Sequence, residues 1–116
     1  MRKAKRDYRV YLQDILSAIV KIGEYTVKGK EDFFAHDLVQ DGVIRQLSII
    51  GEASAKLPTV MKAKHAEIPW RKVIGMRNII IHDYSETDIP TIWVIVERDL
   101  PVLRKAIEAM LGESAS

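Results

Sequence analysis

Arg77, Asn78, His82 and Tyr84 fall within one short stretch, R-N-I-I-I-H-D-Y. Histidine titrates near neutrality and can give or take a proton. Arginine grips phosphate oxygens in a fork and stabilises charge on a pentavalent phosphorus. Asparagine can orient a hydroxyl or an oxygen. Together they could activate an RNA 2′-hydroxyl against the adjacent phosphodiester, with no metal. One chain offers one such histidine, whereas this reaction wants a base and an acid. A two-fold dimer would bring two copies of the set into one cleft. The plain alternative is a satisfied histidine at a helix end and a salt-bridged arginine, because motifs this short often arise by chance.

Position on a helix sharpens the question. At about 100° per residue, Trp70, Val73, Ile74 and Ile81 share one face, and Arg77 falls in its middle. A guanidinium stays charged at working pH, and burying one unpaired is very costly. Either Arg77 has a buried acid partner, or this face is a cleft and not a core. Asn78 and His82 stack on one side if the helix continues that far, and Arg77 and Tyr84, two turns apart, stack on the adjacent side. If the helix ends near His82, its last carbonyls favour a cationic imidazole there.

The elements that must hold these residues read almost entirely as helix. From Asp7 to Val27, Tyr8, Leu12, Ile15, Ile19 and Ile22 recur every three or four residues, and Gly29 is a plausible stop. The piece E-D-F-F-A-H-D reads as one short helical turn, with Phe33 and Phe34 plugging the end of a bundle. A second long helix runs from about Asp37 to Leu57 on Val39, Val43, Leu47, Ile50, Ala53 and Leu57, and Pro58 ends it. Gly42 and Gly51 sit inside that helix, where each costs up to about 1 kcal/mol relative to alanine, so close approach of another backbone is expected there.

The third helix begins at Pro69, which suits a first helical position, and stops near His82. Its isoleucines have strand propensity, but no second strand-like run exists to pair with them. The fourth helix starts after Thr87 or Asp88, either of which can cap it, and carries Ile89, Ile92, Val96, Leu100, Leu103, Ile107 and Met110. Pro101 should kink or split it. The expected fold is all-α: an up-and-down bundle of four main helices plus short helical segments.

The chain of 116 residues is long enough for one domain with its own core, here taken as 1–116. The ends are read as a basic tail over residues 1–6 and a frayed tail over 112–116. With no cysteine, disulfides and thiolate metal sites are excluded. No cluster of His, Asp and Glu has metal-ligand spacing, and neither a metal nor a cofactor is expected. His36 and His65 stand alone in polar segments and receive no role. No apolar run approaches the length of a membrane span, and the basic start lacks the apolar stretch of a signal peptide, so a cytoplasmic protein is expected. Net charge is only +2, but Arg2, Lys3, Lys5, Arg6 and Arg9 crowd the first ten residues. Such a tail either attracts phosphate backbones or is simply a solvated chain end.

The motif and its flanks resemble the HepT-like toxins of the HEPN superfamily. R-N-I-I-I-H-D-Y matches their R-x4-H-x-Y signature. I-R-Q-L-S-I-I-G-E-A, Ile44 to Ala53, resembles the family's second helix, and I-P-W-R-K-V-I-G-M-R-N, Ile68 to Asn78, the approach to its motif. D-L-P-V-L, Asp99 to Leu103, resembles its last helix, so the likeness spans roughly Tyr8 to Leu111. The resemblance implies a homodimeric, metal-independent endoribonuclease, the toxin of a toxin–antitoxin pair whose antitoxin is a small nucleotidyltransferase of the MNT type. It implies catalytic roles for Arg77 and His82, a polar role for Asn78, and Tyr84 as the acceptor of AMP from the antitoxin. Gly51 and Glu52 match its I-G-E-A segment; read from the residues, Gly51 serves helix packing and Glu52 is a candidate partner for a buried cation such as Arg77. The competing reading is a noncatalytic module of the same fold that binds a nucleotidyltransferase or nucleotides through the same cleft.

Overall fold

The computed structural model describes residues 7–78 and 88–115. His82 and Tyr84 lie outside the described residues, as do Ile79–Ile81 and the basic tail over residues 1–6.

Asp7 opens helix α1 (Tyr8–Tyr25) by accepting the backbone N–H of Arg9 at 3.0 Å. That bond fills one of the donors a helix start leaves unpaired. The Arg9 guanidinium grips the same carboxylate at 2.7 Å, and together these bonds hold the Asp7 carboxyl below its usual range. Along α1, Leu12, Ile15, Ala18, Ile19 and Ile22 are buried, the stripe that the spacing predicts. Gly29 then turns the chain at φ 93°, a conformation open to glycine, into α2 (Lys30–Ala35). Phe33 is fully buried with its ring 5.2 Å from Trp93, as a plug should be. Phe34 differs: it is 38% exposed and meets Phe33 edge-on.

Helix α3 (Asp37–Ala55) buries Val43, Ile44, Leu47, Ile50 and Ala53. It ends just before Leu57 and Pro58; Leu57 is buried beyond its last turn. Helix α4 (Thr59–Lys64) follows and has no buried residue, which is why no apolar stripe announces it. Helix α5 (Trp70–Gly75) tightens into a 3-10 turn at Met76–Asn78, with Pro69 as its cap. Asp88 caps helix α6 (Ile89–Val94), accepting from the Thr91 hydroxyl at 2.5 Å and the Thr91 N–H at 3.2 Å. These bonds lower the Asp88 pKa.

The fourth helix is split ahead of Pro101, as the proline requires. Residues Ile95–Asp99 form a π-helical turn, and α7 (Leu100–Ala115) follows. Pro101 has no N–H for the carbonyl four residues back, and the Leu100 N–H instead reaches five residues back to Ile95. At the end of the chain α7 continues through Gly112 to Ala115, into the segment read from the sequence as a frayed tail. A glycine costs a helix only about 1 kcal/mol, and the Glu113 carboxylate meets the His65 ring at 3.4 Å.

Contacts fix the directions. Lys56, just past α3, lies over the Tyr11 ring of α1, so these two helices are antiparallel. Tyr8 and Met110 line one surface pocket, which brings the end of α7 to the start of α1. Lys72 pairs with Asp99 and His65 with Glu113, so α5 runs opposite to α7. The result is an up-and-down all-α bundle with no strand among the described residues. No described helix is long and apolar enough to cross a membrane.

Candidate active site

The segment that carries Arg77 is held from three directions. At its start, the Trp70 indole N–H points at the carbonyls of Lys62 and His65, at 3.0 and 3.1 Å. Those carbonyls belong to the last turn of α4 and the residue after it, so the indole ties α5 to α4. In mid-segment, Lys72 Nζ lies 3.0 Å from Asp99 in the π turn. On the inner side, Val73 and Met76 are buried in the core. The indole tie has no signature in the sequence beyond a tryptophan next to Pro69.

Arg77 and Asn78 are exposed. This corrects the face expected from the sequence. The buried line runs through Val73 and Met76, with Trp70 and Ile74 half-buried, and Arg77 lies beside it and not in its middle. After Gly75 the chain tightens to a 3-10 turn, which advances about 120° per residue and turns Arg77 further from Val73. Of the two possibilities for Arg77, a buried acid partner or a cleft, its exposure excludes the buried one.

Glu52 does not serve as the partner expected for Arg77. Its carboxylate is 56% exposed and lies 3.9 Å from Lys56 on its own helix. Among the described residues no ion pair joins it to Arg77. At position 52 the helix faces solvent, while its neighbour Gly51 faces inward and is buried.

Gly51 bears out the expectation of a close backbone approach. A Cβ built there would collide with the Arg77 amide nitrogen and would stand 2.8 Å from the Ile74 carbonyl oxygen. Gly42, read the same way from the sequence, instead faces a side chain, the Tyr25 ring, at 3.2 Å.

The two remaining histidines have local partners. His36 Nδ1 meets both the backbone carbonyl and the carboxylate of Asp32, each at 2.9 Å. His65, largely buried, sits between Glu67 at 3.6 Å and Glu113 at 3.4 Å. Of the four candidate residues in the motif, the described structure covers Arg77 and Asn78, consecutive and exposed in the 3-10 turn. The relation of His82 and Tyr84 to them lies outside the described residues.

Comparison with known proteins gives a consistent family. The family described as "Ribonuclease HepT-like" matches residues 15–110. The chain is 42% identical over 107 residues to "Probable ribonuclease HepT" of Thermococcus cleftensis, covering 91% of this chain and 97% of that one. It is 36% identical over 106 residues to "Putative RNase MJ1380" of Methanocaldococcus jannaschii, covering 90% and 97% respectively. A further relative from that organism, "Gamma-glutamylcyclotransferase and putative RNase MJ0434", is 39% identical over 110 residues. There the match covers 94% of this chain but spans about half the length of the relative. No solved structure matches the chain significantly. With the family matched over most of its length, the chain belongs to the ribonuclease HepT-like family.

Proposed function

We propose that the chain is a metal-independent endoribonuclease and the toxin of a toxin–antitoxin pair, with Arg77, Asn78 and His82 as its catalytic set. The observation that carries this reading is the exposure of Arg77 and Asn78 at the end of a helix pinned to the core, in a ribonuclease HepT-like chain. A cation held outward by a fixed backbone is suited to gripping a phosphate.

In this reading a base takes the proton of an RNA 2′-hydroxyl, and the freed oxygen attacks the neighbouring phosphorus. The bond from phosphorus to the 5′-oxygen breaks, and an acid returns a proton to that oxygen. The products are a 2′,3′-cyclic phosphate and a 5′-hydroxyl end. Two copies of His82 across a two-fold homodimer supply the base and the acid. Arg77 stabilises charge on the phosphorane, and Asn78 orients a phosphate oxygen.

Tyr84 is the control point. A small MNT-type nucleotidyltransferase, the antitoxin, transfers the adenylyl group of ATP to the tyrosine oxygen, and pyrophosphate leaves. The new group adds negative charge and bulk to the motif, and its phosphate can compete with RNA phosphate for the Arg77 guanidinium. The pair would act in the cytoplasm.

The test is RNA cleavage in EDTA by wild type, Arg77→Ala and His82→Ala, on mixed tRNA and mRNA. Wild type is expected to leave cyclic phosphate ends, and each variant to lose about 10²-fold or more in rate while staying folded. No cleavage by folded wild type that mass spectrometry shows to be free of AMP would leave the noncatalytic binding module as the better reading.

A further inference from the structure

We infer that Gly51 is the positioning residue for Arg77: by lacking a side chain it lets α3 touch the backbone of the arginine and so fixes where the guanidinium leaves the bundle. This rests on the reading of Arg77 as catalytic.

The geometry is specific to this glycine. The built Cβ collides with the Arg77 amide nitrogen, stands 2.8 Å from the Ile74 carbonyl oxygen and 3.0 Å from the Arg77 Cβ. The nearest two are backbone atoms, which cannot rotate aside. At Gly42 the obstacle is the Tyr25 ring, a side chain that is 38% exposed and free to turn. At Gly23, Gly75 and Gly112 nothing lies within 4 Å.

The contact can yield on only one side. Helix α3 is anchored there by Ile50 and Ala53, which are 0% and 5% exposed. The start of α5 is anchored by the Trp70 indole and by Lys72–Asp99. Met76 is buried as well, so the exposed end of the turn, Arg77 and Asn78, is what remains to move. Restoring ordinary contact distances requires a shift on the order of an ångström, enough to cost about 10²-fold when it displaces a group that must meet a transition state. The contact therefore sets the aim of the arginine, while the core beneath it is held by other residues.

The experiment measures kcat and KM separately on one RNA oligonucleotide that the wild type cuts. It compares wild type, Gly51→Ala, Arg77→Ala and the double variant, well below each Tm, with Gly42→Ala as a control. Gly51→Ala is expected to lower kcat about ten- to hundredfold with KM changed little. In the Arg77→Ala background the same substitution should cost nothing more, because its effect runs through the arginine. A merely structural role would lower the residual activity in that background too, and this result overturns the inference. So does Gly51→Ala with the kcat of wild type.

If Gly51→Ala does not fold at the assay temperature, the same cycle is run at lower temperature on chains carrying Gly51→Ser, the next smallest substitution, with folding checked by circular dichroism. A loss confined to the chain that keeps Arg77 supports the inference; an equal loss in both backgrounds, or failure of every Gly51 substitution to fold with or without Arg77, makes Gly51 a structural residue and overturns it. A folded, unmodified wild type that cuts no RNA overturns the ribonuclease reading itself, an outcome distinct from every variant result above.

Discussion

Helix α3 meets its surroundings in two ways. Along most of its length it presents side chains to the core: Val43, Leu47 and Ile50 are fully buried. At Gly51 it presents none, and the backbone of Arg77 comes down onto the helix itself. The first kind of contact works by area and volume, and neighbouring side chains can partly refill a gap. The second works by a single approach of backbone to backbone, with nothing to repack. Side-chain burial therefore carries stability, and the bare approach carries position. Arg77, which is exposed, adds little to the core but depends on it for its location.

The largest effect on stability should come from the first kind of contact. Leu47→Ala is expected to destabilise the fold by about 2–5 kcal/mol through lost burial and the cavity left behind. Urea denaturation would measure it as a lower midpoint with an unchanged slope. Cleavage per folded molecule should change little, the reverse of the pattern expected for Gly51→Ala. A loss under about 1 kcal/mol would mean that the site collapses easily and that the contrast between the two contacts is weaker than drawn.

The same contrast explains what could be read from the sequence. Apolar spacing marked the long helices and the central line of their buried positions, because a stripe every three or four residues is a direct record of burial; it missed flanking buried residues such as Ile44, Ser54, Trp93 and Ile95. Pro101 announced the break ahead of it for an equally local reason, the missing N–H. Gly51 was legible as a close approach, but not which backbone would approach. Three features were not legible. Helix α4 buries nothing, so it leaves no stripe. The Arg77 segment packs on its Val73 and Met76 side, a choice of face made by tertiary contacts and not encoded in the residue types of the segment. The pairing of Glu52 with Lys56 instead of Arg77 depends on how α3 is rotated against α5, a tertiary matter.

A middle-sized effect belongs to the far side of the motif, where Asp88 caps α6. The Thr91 hydroxyl and N–H hold its carboxyl below the usual range. A carboxyl whose pKa is lower in the folded state stabilises the fold above the unfolded value and loses that contribution as pH falls through the folded one. Asp88→Ala should therefore lower Tm by a few degrees at pH 7. The gap between wild type and variant should close below about pH 4. Asp88→Asn, which can still accept from the backbone, should keep most of the neutral-pH stability and lose the acid dependence. Thermal scans at several pH values read all three curves. A gap that persists unchanged in acid would mean that the aspartate acts through packing and not through its charge.

The smallest effect sharpens the comparison most, because it concerns the residue next to Gly51. Glu52 is more than half exposed, and its pairing with Lys56 is at the outer limit of an ion pair. Such pairs are screened by solvent and pay entropy to hold two flexible side chains. Glu52→Ala should shift stability by no more than about 0.5 kcal/mol, read as a Tm within a degree or two of wild type. Two adjacent positions on one helix would then differ because one faces water and the other faces the Arg77 backbone. If Glu52→Ala instead destabilises the fold by well over 1 kcal/mol, Glu52 has a partner beyond Lys56. Repeating the substitution in the Arg77→Ala background would show whether that partner is Arg77, by asking whether the cost disappears.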